Sequence, residues 1–318
     1  MRAIGLGIIS ALFFAVTFVL NASMEQAGGH WAWSASLRYF CMLPFLAVIV
    51  AIRGKYVLLL TSMQQHRRQW VIWSVVGFGL FYAPLCFAAM YAPGWLIAGT
   101  WQVTIIAGAL LSPLFFTMQN GRQVRGRIPW RMVSLSLIIL AGVLLMQFEH
   151  AQQLTSTAIW LGIVPIVLAA FMYPLGNRKM MMLTNGSIGV FERILGMTIA
   201  SLPLWLLLAL YAFSEAGAPS SDQLVQSLLV AISSGIIATA LFFAATDMAK
   251  GNTVKLAAIE ATQALEVLFA LIGEVLLLSI MLPSTFGITG MGVVMLGIVC
   301  QSVYVMLQAK KITKTSNV

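Results

Sequence analysis

Apolar residues in this chain come in stretches long enough to cross a bilayer, separated by short polar connections, and nowhere do they alternate with period two. A crossing takes roughly 20 apolar residues to traverse about 30 Å of hydrocarbon, where no water satisfies backbone groups, so only helices or a closed barrel can span. The missing alternation removes the barrel. The pattern predicts five spans in the first half, Ile4–Leu20, Ala32–Ile52, Val71–Met90, Trp95–Phe116 and Met132–Phe148. Five more follow, Ala158–Leu175, Ile188–Phe213, Leu224–Ala245, Leu256–Ile272 and Phe286–Gln308. The expected fold is an all-α integral membrane protein with ten transmembrane helices.

Composition agrees: a chain of 318 residues that is 60% hydrophobic and 8% charged has too little polar surface to cover a water-soluble globule. Charge then orients it. Of 18 basic residues, all but Arg38 and Arg193 fall at the termini or in every second connection, at Arg2, Arg53 to Arg68, Arg122 to Arg131, Arg178 and Lys179, Lys250 and Lys255, and Lys310 to Lys314. The alternate connections carry Glu25, Glu149, Glu215 and Asp222 but no Lys or Arg. Positive charge resists translocation, so both termini are expected in the cytoplasm of a multi-pass plasma-membrane protein. The net charge of +9 is thus topological and requires no nucleic-acid partner. Cys41, Cys86 and Cys300 all fall within spans at spacings unlike metal sites, which suits buried thiols.

A shift of about 155 residues brings landmarks of the two halves into register. Leu6-Gly7-Ile8 meets Leu161-Gly162-Ile163, Asn21 meets Asn177, Arg38 meets Arg193, and Phe87-Ala88-Ala89 meets Phe243-Ala244-Ala245. Gly142-Val143 meets Gly297-Ile298 and, with a few residues inserted, Gln102 meets Gln263. The expected domains are residues 1–150 and 151–318, each a five-helix repeat. Five is odd, so the second copy enters the membrane from the other side and the repeats are inverted. Inverted repeats are a recurring build of secondary transporters, with substrate bound near the midplane where the copies meet. No GxxxxGK[ST] or HExxH motif and no soluble domain accompany the spans, so neither a cofactor, a metal nor ATP is expected.

The stretch Ala261-Thr262-Gln263-Ala264-Leu265-Glu266-Val267-Leu268-Phe269, followed by Gly273-Glu274, resembles the second repeat of the drug/metabolite transporter superfamily. Within it the chain is most similar to the ten-helix bacterial multidrug resistance efflux transporter family. That resemblance implies export of small organic molecules by alternating access, often in exchange for protons. One departure stands out: the small four-helix members carry an essential glutamate in their first helix, whereas the first and sixth spans here contain no acid.

Charges inside the spans are the candidates for chemistry, because each costs about 2.5 to 3.5 kcal/mol to insert at mid-membrane. On a 1.5 Å rise per residue, Glu266 lies roughly 15 Å from the cytoplasmic end of the ninth span, Glu260 roughly 6 Å, and Arg193 of the seventh span roughly 8 Å. Glu266, near the midplane, is costly to ionise, so it can keep a proton near neutral pH and exchange it for a cation or open water, as an antiporter requires. A protonated helix contact is the alternative. Arg193 and Glu260 have similar depth and are expected to form a supporting ion pair. Trp101, Gln102 and Gln263 are expected at the substrate cavity, for stacking and orientation, although each could equally pack between helices. Arg38 has no acid at membrane depth in its own half, so it either snorkels, reaches an acid such as Glu274, or offers its guanidinium to a carboxylate-bearing substrate. Tyr39 and Tyr173 are further aromatic candidates.

The leading expectation is a proton-coupled antiporter exporting drugs or metabolites, with small organic solutes, protons and the lipid bilayer as partners. An uncoupled exporter of amino acids or other metabolites is the runner-up. An intramembrane enzyme is disfavoured, because no histidine lies at membrane depth.

Overall fold

The computed structural model describes residues 2–92, 94–119, 122–151, 155–278 and 284–316. Among the described residues, seven helices are long and apolar enough to cross a bilayer: Arg2–Asn21, Trp31–Ile52, Arg67–Ala88, Trp160–Thr184, Val190–Ala216, Ser221–Asp247 and Thr285–Gln308. We label the first two helices α1 (Arg2–Gln26) and α2 (Trp31–Ile52). The next crossing is built from α4 (Arg67–Ser74), a π-helical turn at Val75–Gly79, and α5 (Leu80–Ala88). The remaining long helices are α9 (Val164–Thr184), α10 (Val190–Ala216), α11 (Ser221–Val230) joined by a π-helical stretch to α12 (Thr239–Asp247), and α15 (Thr285–Ser316).

The other three expected spans are shorter or interrupted. The fifth is α8 (Trp130–Ala151), whose apolar part is Trp130–Met146. The fourth breaks into α6 (Gly94–Trp101) and α7 (Thr104–Leu110), and the ninth into α13 (Thr253–Ala261), a 3-10 turn at Thr262–Ala264, and α14 (Leu265–Leu278).

Two connections correct the purely helical, loop-linked expectation. Phe116–Gln119 and Arg122–Arg125 pair as a small antiparallel hairpin, β1 and β2, with Phe116 opposite Arg125 and Gln119 opposite Arg122. The basic segment after α2, expected as a loop, contains α3 (Tyr56–Gln65), which buries Leu59 and leaves Val57, Leu58 and Leu60 exposed beside Arg53, Lys55, Arg67 and Arg68. Apolar side chains flanked by cations suit a helix lying along a membrane surface.

Packing relies on close backbone approach. In lipid, apolar side chains gain nothing by leaving one apolar medium for another, so van der Waals fit between small residues holds helices together. The pair α8 and α15 illustrates this: a Cβ added at Gly142 would come within 2.8 Å of the Gly290 carbonyl oxygen. Substitution Gly290→Val should therefore force these helices apart, at a cost of about 1–3 kcal/mol. A lowered melting temperature in detergent, read by differential scanning fluorimetry, checks it; an unchanged value would show that the contact carries no weight.

Segments with the same charge character meet at the same ends of the bundle. Arg53 Nε donates to Glu192 at 2.7 Å, and a large recess gathers Gly126, Arg178, Asn185, Lys250 and Thr253. At the other end Trp33 Nε1 donates to the Gly217 carbonyl at 2.9 Å, and Gln223 Nε2 donates to the His30 carbonyl at 3.0 Å.

Candidate functional site

A small cavity of about 10 Å³, room for about one water, lies deep in the bundle. Its lining comes from both halves of the chain: Phe14, Thr17 and Phe18 of α1, Arg38 of α2, Phe81 and Leu85 of α5, Trp101 of α6, Tyr173 of α9, Ser234 and Glu266. Four residues expected at a substrate or proton site from the sequence, Arg38, Trp101, Tyr173 and Glu266, are thus brought to one chamber. Aromatic rings form most of the wall. The Trp101 and Tyr173 rings lie 5.1 Å and 4.6 Å from that of Phe81, and Tyr173 meets Phe242 at 5.6 Å.

Several polar atoms around this chamber lack a well-formed hydrogen bond to protein. Thr17 Oγ1, Arg38 Nε and Nη1, the Tyr173 hydroxyl, Ser234 Oγ and both Glu266 carboxylate oxygens are buried and make no well-formed hydrogen bond. The Trp101 indole acts on the Glu266 carboxyl as a nearby donor without reaching good hydrogen-bond geometry. The Arg38 guanidinium lies 4.1 Å from the centroid of the Tyr82 ring, an attraction that offsets part of its burial but leaves N–H donors free. Buried polar groups in folded proteins are bonded in the large majority of cases, so a convergent set of orphans marks where a ligand or water belongs.

Local structure explains how helices expose such groups. Gln102 sits where α6 gives way to α7, and Gln263 sits in the 3-10 turn between α13 and α14, so both fall at helix breaks. Gln102 Nε2 donates to the Ala98 carbonyl at 3.0 Å, while its Oε1 and both polar atoms of Gln263 lack partners. Neither glutamine lines the small cavity; they sit at the breaks beside the segments that carry Trp101 and Glu266. Across from the second break, Gly7 of α1 lets the Thr262 hydroxyl approach, where an added Cβ would meet it at 2.5 Å. Discontinuous helices near the bilayer centre are the usual means by which transporters free polar backbone for a substrate. Ser234 lies in the π-helical stretch Ala231–Ala238, and such turns recur at functional sites.

The expected Arg193–Glu260 pair is not formed. Arg178 Nη2 instead donates to Glu260 Oε1 at 2.6 Å, both side chains being buried. Arg193 Nη1 donates to Asp247 Oδ1 at 2.8 Å, and its guanidinium stacks over Phe243 at 4.7 Å. The reason lies in neighbourhood rather than depth. Both α9 and α13 pack on α7, which delivers Arg178 to Glu260, while α10 packs on α12, which delivers Arg193 to Asp247. Continuation of α9 through Pro174 to Thr184 keeps Arg178 inside the bundle instead of in a connection. Asp247 closes α12, just beyond the expected end of its span, and nothing in the sequence singled it out. Gly108 of α7 lies against the Glu260 carboxylate with no space for a Cβ.

Tyr39 lies outside the chamber, stacked on Trp205 at 4.1 Å with an interplanar angle of 11°. The side chain of Glu274 lies outside the described residues. Thr17 and Ser234 escaped sequence reasoning because hydroxyls are common and inexpensive in apolar helices.

A recess of about 690 Å³ opens near the ion pair, lined by Phe115, Arg178, Asn185, Lys250 and Thr253 among others. Tyr173 lines the small chamber and Arg178, five residues on, lines the recess, where it holds Glu260. The Arg178–Glu260 pair therefore sits at the wall of the recess.

Comparison with known proteins was made against this geometry. Residues 1–307 match the family model EmrE, described as "Putative multidrug resistance efflux transporter". The chain is 53% identical over 301 residues to the uncharacterized protein YjlA of Bacillus subtilis (strain 168), covering 93% of each. It is 50% identical over 248 residues to an uncharacterized 42.1 kDa protein of Shouchella clausii, covering 78% of this chain and 65% of that one. A crystal structure of a protein only 15% identical superposes with a TM-score of 0.69 over 98% of both chains, which shows a shared fold.

Proposed function

Because the chain belongs to the EmrE family of multidrug resistance efflux transporters, we propose that it exports small organic molecules across the plasma membrane by alternating access, in exchange for protons. The observation that carries this reading is the buried, aromatic-walled chamber on which Thr17, Arg38, Tyr173, Ser234 and Glu266 converge, each with polar atoms that make no well-formed hydrogen bond. A packed structural core would have satisfied those groups; a solute site leaves them for the solute.

In this reading the chain crosses the bilayer ten times, as inverted repeats 1–150 and 151–318, with both termini cytoplasmic. Several pairings support it. Arg38 stacks on Tyr82 of the third span, and its counterpart Arg193 stacks on Phe243 of the eighth. Asn21 Nδ2 donates to Cys86 Sγ of the third span, and Asn177 Nδ2 donates to Thr246 Oγ1 of the eighth. The fourth and ninth spans both break at their matching glutamines. Meetings between basic connections at one end and between connections without Lys or Arg at the other support the orientation.

The mechanism follows from electrostatics. With the chamber shut, Glu266 keeps its proton, because an unpaired carboxylate in apolar surroundings is costly. Opening admits water and solute, the proton leaves, and a cationic group takes its place beside the carboxylate. Proton and solute compete for one acid, so the two are exchanged. The Arg178–Glu260 pair closes the path to the recess, which serves as the cytoplasmic vestibule, while Trp101 and Tyr173 supply stacking surface. Purified protein in liposomes with an imposed pH gradient tests this: solute accumulation that collapses with the gradient supports antiport. Flux unchanged by the gradient would replace antiport with uncoupled export.

A further inference from the structure

We propose that the chamber is a binding site for a small monovalent anion of chloride size, held by Arg38, and that this anion and the ionised Glu266 carboxylate exclude one another. The anion site follows from geometry, while its exchange with Glu266 rests on the exporter reading above, in which that acid gains and loses a proton. Among the described residues three arginines are buried, and two of them meet a carboxylate, Arg178 at Glu260 and Arg193 at Asp247. Arg38, 2% exposed, meets none among those residues. Its guanidinium lies 5.7, 6.0 and 4.1 Å from the ring centroids of Tyr39, Phe81 and Tyr82. Ring faces offset only part of the cost of a lone buried charge, so Arg38 calls for a counter-ion.

The size and chemistry of the chamber select that counter-ion. About 10 Å³ is room for one water-sized particle, which admits a halide with slight adjustment and excludes sulfate, phosphate and organic carboxylates. A water there would satisfy hydrogen bonds and leave the charge uncompensated. The polar wall is built of donors: Arg38 Nε and Nη1 and the hydroxyls of Thr17, Tyr173 and Ser234 are buried without a well-formed hydrogen bond, and each can donate. Glu266 adds a donor when protonated. When ionised it becomes an acceptor in the same small space, repels a halide and supplies the counter-charge for Arg38 itself. The chamber then carries one negative charge in either state, a halide beside a protonated acid or the carboxylate alone, so proton release and halide release go together. Besides Arg38 and Glu266, the titratable group on the wall is Tyr173, a phenol that stays neutral near pH 7, as do Tyr39 and Tyr82 beside the guanidinium. The helices packed on α14, which carries Glu266, are α1, α6 and α15; among the described residues they bring no acid or base to the wall.

Chloride itself is the probe, added to the full chain in detergent at constant ionic strength, with gluconate, too large for the chamber, as the replacing anion. Chloride should raise the melting temperature in a saturable manner where gluconate and sulfate do not. Across a pH series in weak buffer, chloride binding should take up as much as about one proton per ion, and its affinity should rise as pH falls, because linkage is reciprocal. Glu266→Gln, neutral at every pH, should keep chloride binding but lose both the proton uptake and the pH dependence. Arg38→Gln should weaken chloride affinity by at least about tenfold. Should that variant not fold, the contrast between the unaltered protein and Glu266→Gln carries the test alone. Stabilisation of the unaltered protein by chloride no greater than by gluconate, or undiminished in a folded Arg38→Gln variant, overturns the site; binding without proton uptake at any pH overturns the exchange. Liposome flux separates this proposal from the exporter reading. Gradient-driven export by a protein that fails the chloride tests keeps the exporter and removes the anion, whereas a protein that passes them and moves no solute keeps the anion site and removes export.

Discussion

Glu266→Gln is expected to abolish uphill export while leaving the protein folded. Glutamine keeps the size and hydrogen-bonding shape of a protonated carboxyl but has no proton to release, so the variant mimics one half of the exchange cycle and cannot reach the other. In liposomes preloaded with a solute that the unaltered protein concentrates against its gradient, accumulation should fall to the level of protein-free vesicles. Stability should barely change, because glutamine matches the carboxyl in size and shape; a melting temperature within a few degrees of the parent's would confirm it. Retention of full gradient-driven export would remove Glu266 from coupling.

Disruption of the Arg178–Glu260 pair should give the largest stability effect in the molecule. Both side chains are buried, so removing one partner strands the other's charge in low dielectric, a cost of about 3–5 kcal/mol. Arg178→Met or Glu260→Leu alone should lower the melting temperature by well over 5 °C at the stability scale of such changes. The double variant should recover most of the loss, because no charge is left stranded and an apolar pair suits the surroundings. Additive losses in the double variant, measured by thermal unfolding in detergent, would show that the two residues act separately. Because Arg178 lines the recess proposed as the cytoplasmic vestibule, the stable double variant should also leak solute without a gradient.

Hydropathy made the spans legible, because a window of about 20 residues integrates a strong signal that single positions cannot erase. Charge at mid-depth drew attention to Arg38 and Glu266, because ionisable side chains are costly in lipid, whereas Trp101 and Tyr173 stood out only as aromatic candidates that could equally pack. Partner choice was not legible. Depth along the membrane normal is one coordinate, and pairing also needs the angle around the bundle, which is why Glu260 met Arg178 instead of Arg193. The breaks at Gln102 and Gln263 were equally hidden, since no proline or glycine stands at either glutamine and the surrounding residues are helix-compatible. Arginines on the hairpin hid its strand character beneath a reading of cytoplasmic charge.

A void with room for about one water cannot carry a continuous wire of hydrogen-bonded molecules from one face of the bilayer to the other. Around this void the protein therefore offers ions no wide aqueous pore. A cell could hold many idle copies without short-circuiting its ion gradients, and energy would be dissipated only during turnover, when cargo or water enters the chamber.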